Sequence, residues 1–323
     1  MALELSAGDD DGGRRLDRIL RKALPDLPLS GVYRLLRKGW VLVNGKPGGV
    51  KDRVPPGARI QILKATGLSV SPCFYPAAGS LGARALPDIL WEGAGLLFLN
   101  KPLGMLVHGP ESLETLVLGY LEGKLPRSLS FKPGPLHRLD RPTSGIIAFS
   151  TSLEGARNFS ALLRQGGIKK HYLALVSGNP GERAVWEDRL WRDREQRKTF
   201  AAGDREGGAK KALTRVYTLE SGSGYSLVRL EITTGRTHQI RAQAALHGYP
   251  LAGDRKYGGA GGPGFFLHAC SLEFTGTGIP LVPKILEAPL PKAFSQKIPE
   301  LLGEKFVKTP GPSLPLTIFS CYT

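Results

Sequence analysis

Asp140 stands in the run His137-Arg138-Leu139-Asp140-Arg141-Pro142-Thr143-Ser144-Gly145, and the apolar stretch Ile146-Ile147-Ala148-Phe149 follows it. This order sets one carboxylate at the edge of a strand, between two guanidinium groups that favour its charged form. An ionised carboxylate so placed can act as a nucleophile or as a base. A second run, Thr234-Gly235-Arg236-Thr237-His238-Gln239-Ile240-Arg241, offers a cation, Arg241, on a helix that follows a Gly-containing turn. A third, Lys170-His171-Tyr172-Leu173-Ala174-Leu175-Val176-Ser177-Gly178, opens a strand with an aromatic ring and a hydroxyl. A Tyr at such a position is either a half-buried packing residue or a platform for stacking.

Other chemistries find less support. The six His (His108, His137, His171, His238, His247, His268) form no H-x-x-x-H pair and sit at no ligand spacing from a Cys, so no metal site is expected. Gly258–Gly264 is rich in glycine but lacks the Lys-Ser/Thr of a phosphate loop. Cys73, Cys270 and Cys321 are few and far apart, which fits a reducing cytoplasm rather than a disulfide framework. No apolar run is long enough to span a bilayer, and the N-terminus opens acidic, with Asp9-Asp10-Asp11, instead of as a signal sequence.

The elements that must position these residues can be read from periodicity. Residues 1–13 are polar and expected to be disordered. Leu16, Ile19, Leu20 and Ala23 recur at helical spacing until Pro25. Ser30 is the expected cap of a second helix with Val32, Leu35 and Leu36 on one side, ending at Gly39. Val41–Val43, the turn Asn44-Gly45 and Arg59–Ile62 complete a small basic module over 14–64. Its thirteen Lys/Arg against three Asp hold most of the chain's net charge of +16, which points to a polyanionic partner.

Residues 65–87, rich in Pro and Gly, read as a linker. The second domain, 88–305, opens with strands at Ile89–Glu92 and Leu96–Leu99. It alternates short helices such as Leu153–Leu163 with strands at Tyr172–Val176 and Tyr225–Ile232. Thr237 is the expected cap of a helix to about His247. Arg192–Lys211 reads as a charged hairpin or loop and Tyr257–Gly264 as a mobile loop. The tail, 306–323, is unassigned. The mixture is α+β, with a substantial sheet rather than a βαβ repeat.

The first run resembles the HRLD-x-x-TSG motif of the RluA family of RNA pseudouridine synthases. The second resembles that family's TGRTHQIR motif, continuing through HGYPLAGDRKYG at 247–258, and the third its K-x-Y-x-A-L-V-x-G segment. Asn100-Lys101-Pro102 to His108 resembles its opening segment. The likeness runs from Arg14 to Phe274, with Pro142 and Gln243 departing from the residues common there. RLDRIL, LSGVYRLLRKGWVLVNGK and PPGARIQIL resemble an S4 RNA-binding domain, which commonly precedes the catalytic domain in this family.

The resemblance implies a large, mostly antiparallel mixed sheet flanked by helices around a central cleft, with a small N-terminal S4-like α/β domain. It implies that a uridine is isomerised to pseudouridine with no cofactor. Asp140 would act through a glycosyl ester or a glycal, Arg241 would pair with it, and Tyr172 would stack on the flipped uracil. Arg138 would fill the vacated space, grip the flipped nucleotide's backbone, or serve the loop alone by bonding its carbonyls; Thr143 shapes the Asp140 loop. His137 and Arg236 are further candidates for contact with RNA. In the basic module Arg18, Arg34, Arg37, Lys38 and Lys46 are the candidates.

The expected substrate is 23S ribosomal RNA, with tRNA as the alternative, and the protein is expected to be a cytoplasmic monomer. Two competing readings remain. A glycosidase-like hydrolase needs two carboxylates flanking the sugar. A non-catalytic RNA-binding or ribosome-assembly protein needs none of the three site residues.

Overall fold

The computed structural model describes residues 2–63, 85–202, 208–260, 264–275, 279 and 282–303. They fall into two compact units, one of Met1–Leu86, His108–Pro135 and Phe149–Arg157, the other of Pro87–Val107, Leu136–Ala148 and Asn158–Thr323. The units therefore do not follow the boundaries expected at 14–64 and 88–305. Of the expected linker only 85–87 is described, and the tail lies outside the described residues.

In the first unit a four-stranded sheet has the order β1-β4-β2-β3. Its strands are β1 (Leu3–Ser6), β2 (Val41–Val43), β3 (Lys46–Pro47) and β4 (Arg59–Ile62). Helices α1 (Leu16–Ala23) and α2 (Leu29–Arg37) lie between β1 and β2 in the chain. Leu16, Ile19, Leu20 and Ala23 of α1 are wholly buried with Val32, Ile60 and Ile62, while Arg18, Arg21 and Lys22 face solvent. Burying each Leu or Ile contributes roughly 1.5–3 kcal/mol, so this apolar stripe holds the helix in place. Asn44 (φ 49°) and Gly45 (φ 79°) turn β2 into β3 with the left-handed pair that a two-residue hairpin requires. The α2 helix starts at Leu29 rather than after a Ser30 cap, because Pro28 supplies the extended entry (φ −63°, ψ 155°).

The expected disorder of 1–13 is corrected. Leu3 and Leu5 alternate with Glu4 and Ser6, and β1 pairs antiparallel with β4 through Leu3↔Ile62 and Leu5↔Ile60. Glu4 meets Arg59 and Gln61 across that pair. Asp11 is fully buried and accepts from the Ser128 hydroxyl (2.9 Å), the Leu129 amide (2.7 Å) and the Gly8 amide (2.9 Å). An acidic triplet reads as solvated chain, but four donors, the Ser130 hydroxyl being the fourth, offset the cost of burying this carboxylate.

Strands β5 (Ile89–Gly93) and β6 (Leu96–Lys101) lead into α3 (Leu113–Leu121). After them come β7 (Gly134–Pro135), β8 (Ser144–Ser150), α4 (Leu153–Gln165) and β9 (Ile168–Ser177). The chain continues through β10 (Arg183–Asp193), β11 (Lys198–Ala201), β12 (Lys210–Gly222) and β13 (Tyr225–Ile232). The chain then forms α5 (Gln239–Leu246), β14 (Leu267–Phe274), β15 (Ile285–Glu287) and α6 (Lys292–Leu302).

The large sheet of the second unit runs β11-β10-β12-β13-β9-β14-β8-β6-β5, with β15 paired to β14. Pairs from β11 to β14 are antiparallel, whereas β8 lies parallel to β14, so the sheet is mixed as expected. Residues 170–176 of β9 and all of β8 are buried, which accounts for the apolar runs Leu173–Val176 and Ile146–Phe149 within them. The expected charged hairpin is β10–β11, turning between Asp193 and Lys198, while 203–207 lie outside the described residues. Tyr257, expected in a mobile loop, is buried and hydrogen-bonded instead. Cys270 is a free, buried thiol. Among the described residues no helix is long and apolar enough to cross a membrane.

Candidate active site

Asp140 lies in a tight turn just before β8, where the Thr143 amide donates to the Asp140 carbonyl (2.9 Å). The next residue fixes the loop. The Arg141 carbonyl accepts from the Gly104 amide (3.0 Å) and from Lys101 Nζ (3.2 Å), and Arg141 Nε returns a bond to the Gly104 carbonyl (3.0 Å). Lys101 is fully buried, with its Nζ also on the carbonyls of Pro102 (3.0 Å) and Met105 (2.8 Å). Burial pulls this ammonium down to about 8, with Asp140 opposing the shift.

Beyond the turn, Gly145 has φ 107°, and a Cβ there would lie 2.2 Å from the Ala269 carbonyl oxygen. Only glycine lets β8 approach β14 this closely, in the register His268↔Ser144 and Ala269↔Gly145. Ser144 Oγ meets His268 Nδ1 (3.0 Å), and His268 Nε2 donates to the Ala288 carbonyl (3.1 Å), so His268 is a packed link between strands.

Arg241 comes to Asp140 from α5. Its Nη1 donates to Asp140 Oδ2 at 3.0 Å, while Nε and Nη2 form a bidentate pair with Asp254 at 2.7 and 2.9 Å. The Phe265 and Tyr257 rings flank the guanidinium at 4.3 and 5.1 Å. Arg241 is 7% exposed and Asp254 2%. In such a site a fixed bidentate pair is far stronger than an exposed one, and it leaves the third nitrogen aimed at Asp140.

His238 also faces Asp140, with Nε2 3.6 Å from Oδ2. It occupies the position before α5 in a left-handed conformation (φ 54°, ψ 25°), which displaces the cap expected at Thr237. The Tyr257 hydroxyl accepts from the Thr199 amide (2.9 Å) and lies 2.9 Å from His238 Nδ1, which also faces Arg192 Nη1 (3.5 Å); a guanidinium only donates, so Nδ1 accepts and the ring proton belongs on Nε2. Burial pushes the imidazole down to about 4, against the pull of Asp140, so the ring is neutral at pH 7. Arg241 is therefore the positive partner of Asp140.

Tyr172 is buried on β9, opposite Leu230 of β13 and Ala269 of β14. Burial, and then the Asp140 charge, hold its hydroxyl well above the usual phenol range, so at neutral pH it carries its proton.

Asp140, Tyr172, His238 and Arg241 line a cavity of about 630 Å³ whose walls also include His137, Arg138, Thr143 and Arg236. Arg138 is exposed and makes no hydrogen bond among the described residues. Arg236 is tied by Nε to the Lys211 carbonyl (3.0 Å). His137 accepts the Ala148 amide at Nε2 (3.0 Å) and stacks on Phe159; burial holds it neutral, at about 3. Lys170 lines the same wall, brought down to about 8 by burial and then by Arg236. Among the described lining residues the cations are Arg138, Arg164, Lys170, Arg236 and Arg241, and Asp140 is the sole carboxylate. Arg18, Arg34, Arg37, Lys38 and Lys46 are exposed residues of the first unit and do not line this cavity.

Residues 95–246 match the family described as RNA pseudouridylate synthase. Over 318 residues the chain is 34% identical to ribosomal large subunit pseudouridine synthase C of Salmonella typhimurium, covering 92% of this chain and 95% of that protein. The chain belongs to the RluA family of RNA pseudouridine synthases. The protein of the same name from Escherichia coli K12 is also 34% identical, over 314 residues that cover 90% of this chain and 94% of the relative. Human RNA pseudouridylate synthase domain containing 4 shares the fold, with a TM-score of 0.54 at 23% identity over 66% of this chain and 92% of that one.

Asp254 and Tyr257 are the residues that reading the RluA motifs left without a role. Both sit in the run resembling HGYPLAGDRKYG, which was the available signal. Gln243, a departure from the RluA pattern, is fully buried and bonds Thr214 Oγ1 (2.7 Å), the Trp186 carbonyl (3.0 Å) and Asp188 (2.6 Å). It is a structural residue apart from the Asp140–Arg241 pair.

Proposed function

We propose that this RluA-family chain isomerises specific uridines to pseudouridine in ribosomal large-subunit RNA, with Asp140 as the reacting carboxylate. The contact of Arg241 Nη1 with Asp140 Oδ2 at 3.0 Å, inside a cavity whose other charged walls are cationic, carries the reading. The target uridine leaves its stack at a cost of a few kcal/mol and enters the cavity. Asp140 then attacks C1′ or removes a sugar proton, and the C1′–N1 bond breaks. The detached uracil stays against Tyr172 and turns. C5 bonds to C1′ as the C1′–Asp140 ester bond breaks or as the abstracted proton returns to the sugar, C5 loses its proton and N1 gains one, so Asp140 is regenerated and the reaction needs no co-reactant.

A glycosidase would need a second carboxylate and a water between the two. Asp254 does not serve, since both of its oxygens are bonded to Arg241. The choice of large-subunit rRNA rests on the relatives that carry that name and cover nearly the whole chain. The first unit, with its two basic helices and VNGK hairpin, is read as an S4-like module that grips RNA phosphates.

The test is tritium release from 5-³H-uridine in 23S rRNA and in tRNA, followed by mapping of the modified positions. Asp140→Asn should lower the rate by about 10³-fold or more while the RNA remains bound. Modification that persists in Asp140→Asn, or release of free uracil, would end the proposal.

A further inference from the structure

Among the described residues two lysines are buried, Lys101 and Lys170, and they differ in what their ammonium groups meet. Lys101 Nζ donates to the carbonyls of Pro102, Met105 and Arg141. Lys170 is 6% exposed and has neither a hydrogen bond nor an ion pair among the described residues. An ammonium taken out of water without a partner is costly, so it is kept where a ligand completes the contact. Lys170 lines the catalytic cavity, and a Cβ on Gly235 would lie 3.2 Å from its Nζ. The charged or titratable neighbours at this end are Arg236 and His137, and neither can accept from it. Arg236 only donates, and His137 Nε2 already accepts the Ala148 amide.

Lys170 and Tyr172 are alternate residues of β9, so their side chains leave one face of the strand roughly 6–7 Å apart. The Asp140 charge acts on Tyr172, whereas burial and then Arg236 act on Lys170. The carboxylate therefore stands at one end of the cavity, the Tyr172 ring between, and the ammonium at the far end. The cavity's exposed cations, Arg138 and Arg164, suit the phosphates that a flipped nucleotide leaves at the mouth.

We propose that Lys170 reads the uracil by donating to the carbonyl across the ring from the glycosidic bond, and holds the base while it is detached. With C1′ at Asp140 and the ring on Tyr172, that carbonyl oxygen is O4 in uridine. Turning the ring to bring C5 to C1′ exchanges C4 with C2, so the same ammonium meets O2 in pseudouridine. One donor thus serves substrate and product. When the C1′–N1 bond breaks, its electron pair stays with the uracil and spreads over N1, O2 and O4. The ammonium stabilises that anion by hydrogen bonding and keeps its own proton. Cytosine carries an amino group where uracil has O4, and two donors facing each other reject it. The inference rests on the roles of Asp140 and Tyr172 given under the proposed function.

The experiment uses the full chain with uridine and cytidine 5′-monophosphates, and reads binding by saturation-transfer NMR at the base protons. The native chain should prefer the uridine nucleotide by about tenfold or more, and pseudouridine 5′-monophosphate should bind as the uridine nucleotide does. Lys170→Met replaces the charge by an apolar chain of similar length and should abolish the preference. Lys170→Gln has an amide that both donates and accepts, so it should tolerate either base; it carries the test if the Met variant folds poorly. A native-like uridine preference in these variants overturns the proposal. Equal losses for the two nucleotides would assign Lys170 to the phosphate and overturn it as well.

In single turnover on 23S rRNA, Lys170→Met should react about 100-fold more slowly with the RNA still bound. An undiminished rate would remove the ammonium from the bond-breaking step. Nucleotide preference needs no turnover. An absence of modified uridines on mapping would therefore end the proposed reaction and leave Lys170 to be judged by binding, so either reading can fail alone.

Discussion

Arg241 engages all three of its guanidinium nitrogens, two on Asp254 and one on Asp140. Asp254 is thus a positioning residue that sets the direction of the remaining nitrogen. Asp254→Asn keeps the shape but loses the bidentate charge, and misplacement of a reacting group by an ångström or less costs up to about 100-fold. Its single-turnover rate should fall about 10–100-fold with RNA affinity unchanged, as read by rapid quench beside a filter-binding curve. Tyr172 separates two roles. Since its hydroxyl keeps its proton at neutral pH, it works as a donor or relay rather than as a standing base. Tyr172→Phe should bind RNA as the native chain does and react about 10–100-fold more slowly, whereas Tyr172→Leu should lose affinity as well. A Phe variant with full rate would leave the ring alone as the functional part.

At the scale of elements, the site depends on how β8 meets β14. Gly145 carries the chain from the Asp140 turn into that parallel pair with φ 107° and no room for a side chain. Gly145→Ala should cost about 2–4 kcal/mol, from backbone strain together with a clash against backbone that cannot move aside. Urea denaturation reads that loss, and a change below 1 kcal/mol would show that the two strands can shift. The α5 helix makes the complementary point. Its first turn was legible as a strand–turn–helix switch, but the cap was not. His238, not Thr237, sits before the helix, because its ring is held by Tyr257, from a segment nearly twenty residues downstream.

For the whole molecule, several buried or half-buried histidines are held in the neutral form, and this sets the response to acid. His268 is held at about 4, His238 at about 4 and His137 at about 3, each chiefly by burial and each below its ordinary value near 6.5. A depressed folded value contributes stability that is complete above pH 6.5. It is lost as the pH falls toward the folded value, because only the unfolded chain takes up protons in that window. The midpoint of urea unfolding should therefore fall between pH 7 and pH 5, with His268 alone contributing on the order of 1–2 kcal/mol. His268→Gln should flatten the profile; an unchanged slope in that variant would place the acid sensitivity elsewhere.

By itself the sequence determined the local order: an Asp in a basic turn before a strand, an Arg one turn into a helix, and a Tyr at the start of a buried strand. These are short-range patterns, and periodicity and turn chemistry report them directly. The basic helix pair of the first unit was legible for the same reason, through the apolar stripe Leu16-Ile19-Leu20-Ala23. Tertiary structure alone decided what those residues face. It buried Asp11, which composition assigned to solvent, by bringing four donors to it. It turned Asp254 from one residue of a matching run into the clamp on Arg241. Such pairings leave no periodic trace, because a charged side chain has the same type whether it meets water or its partner.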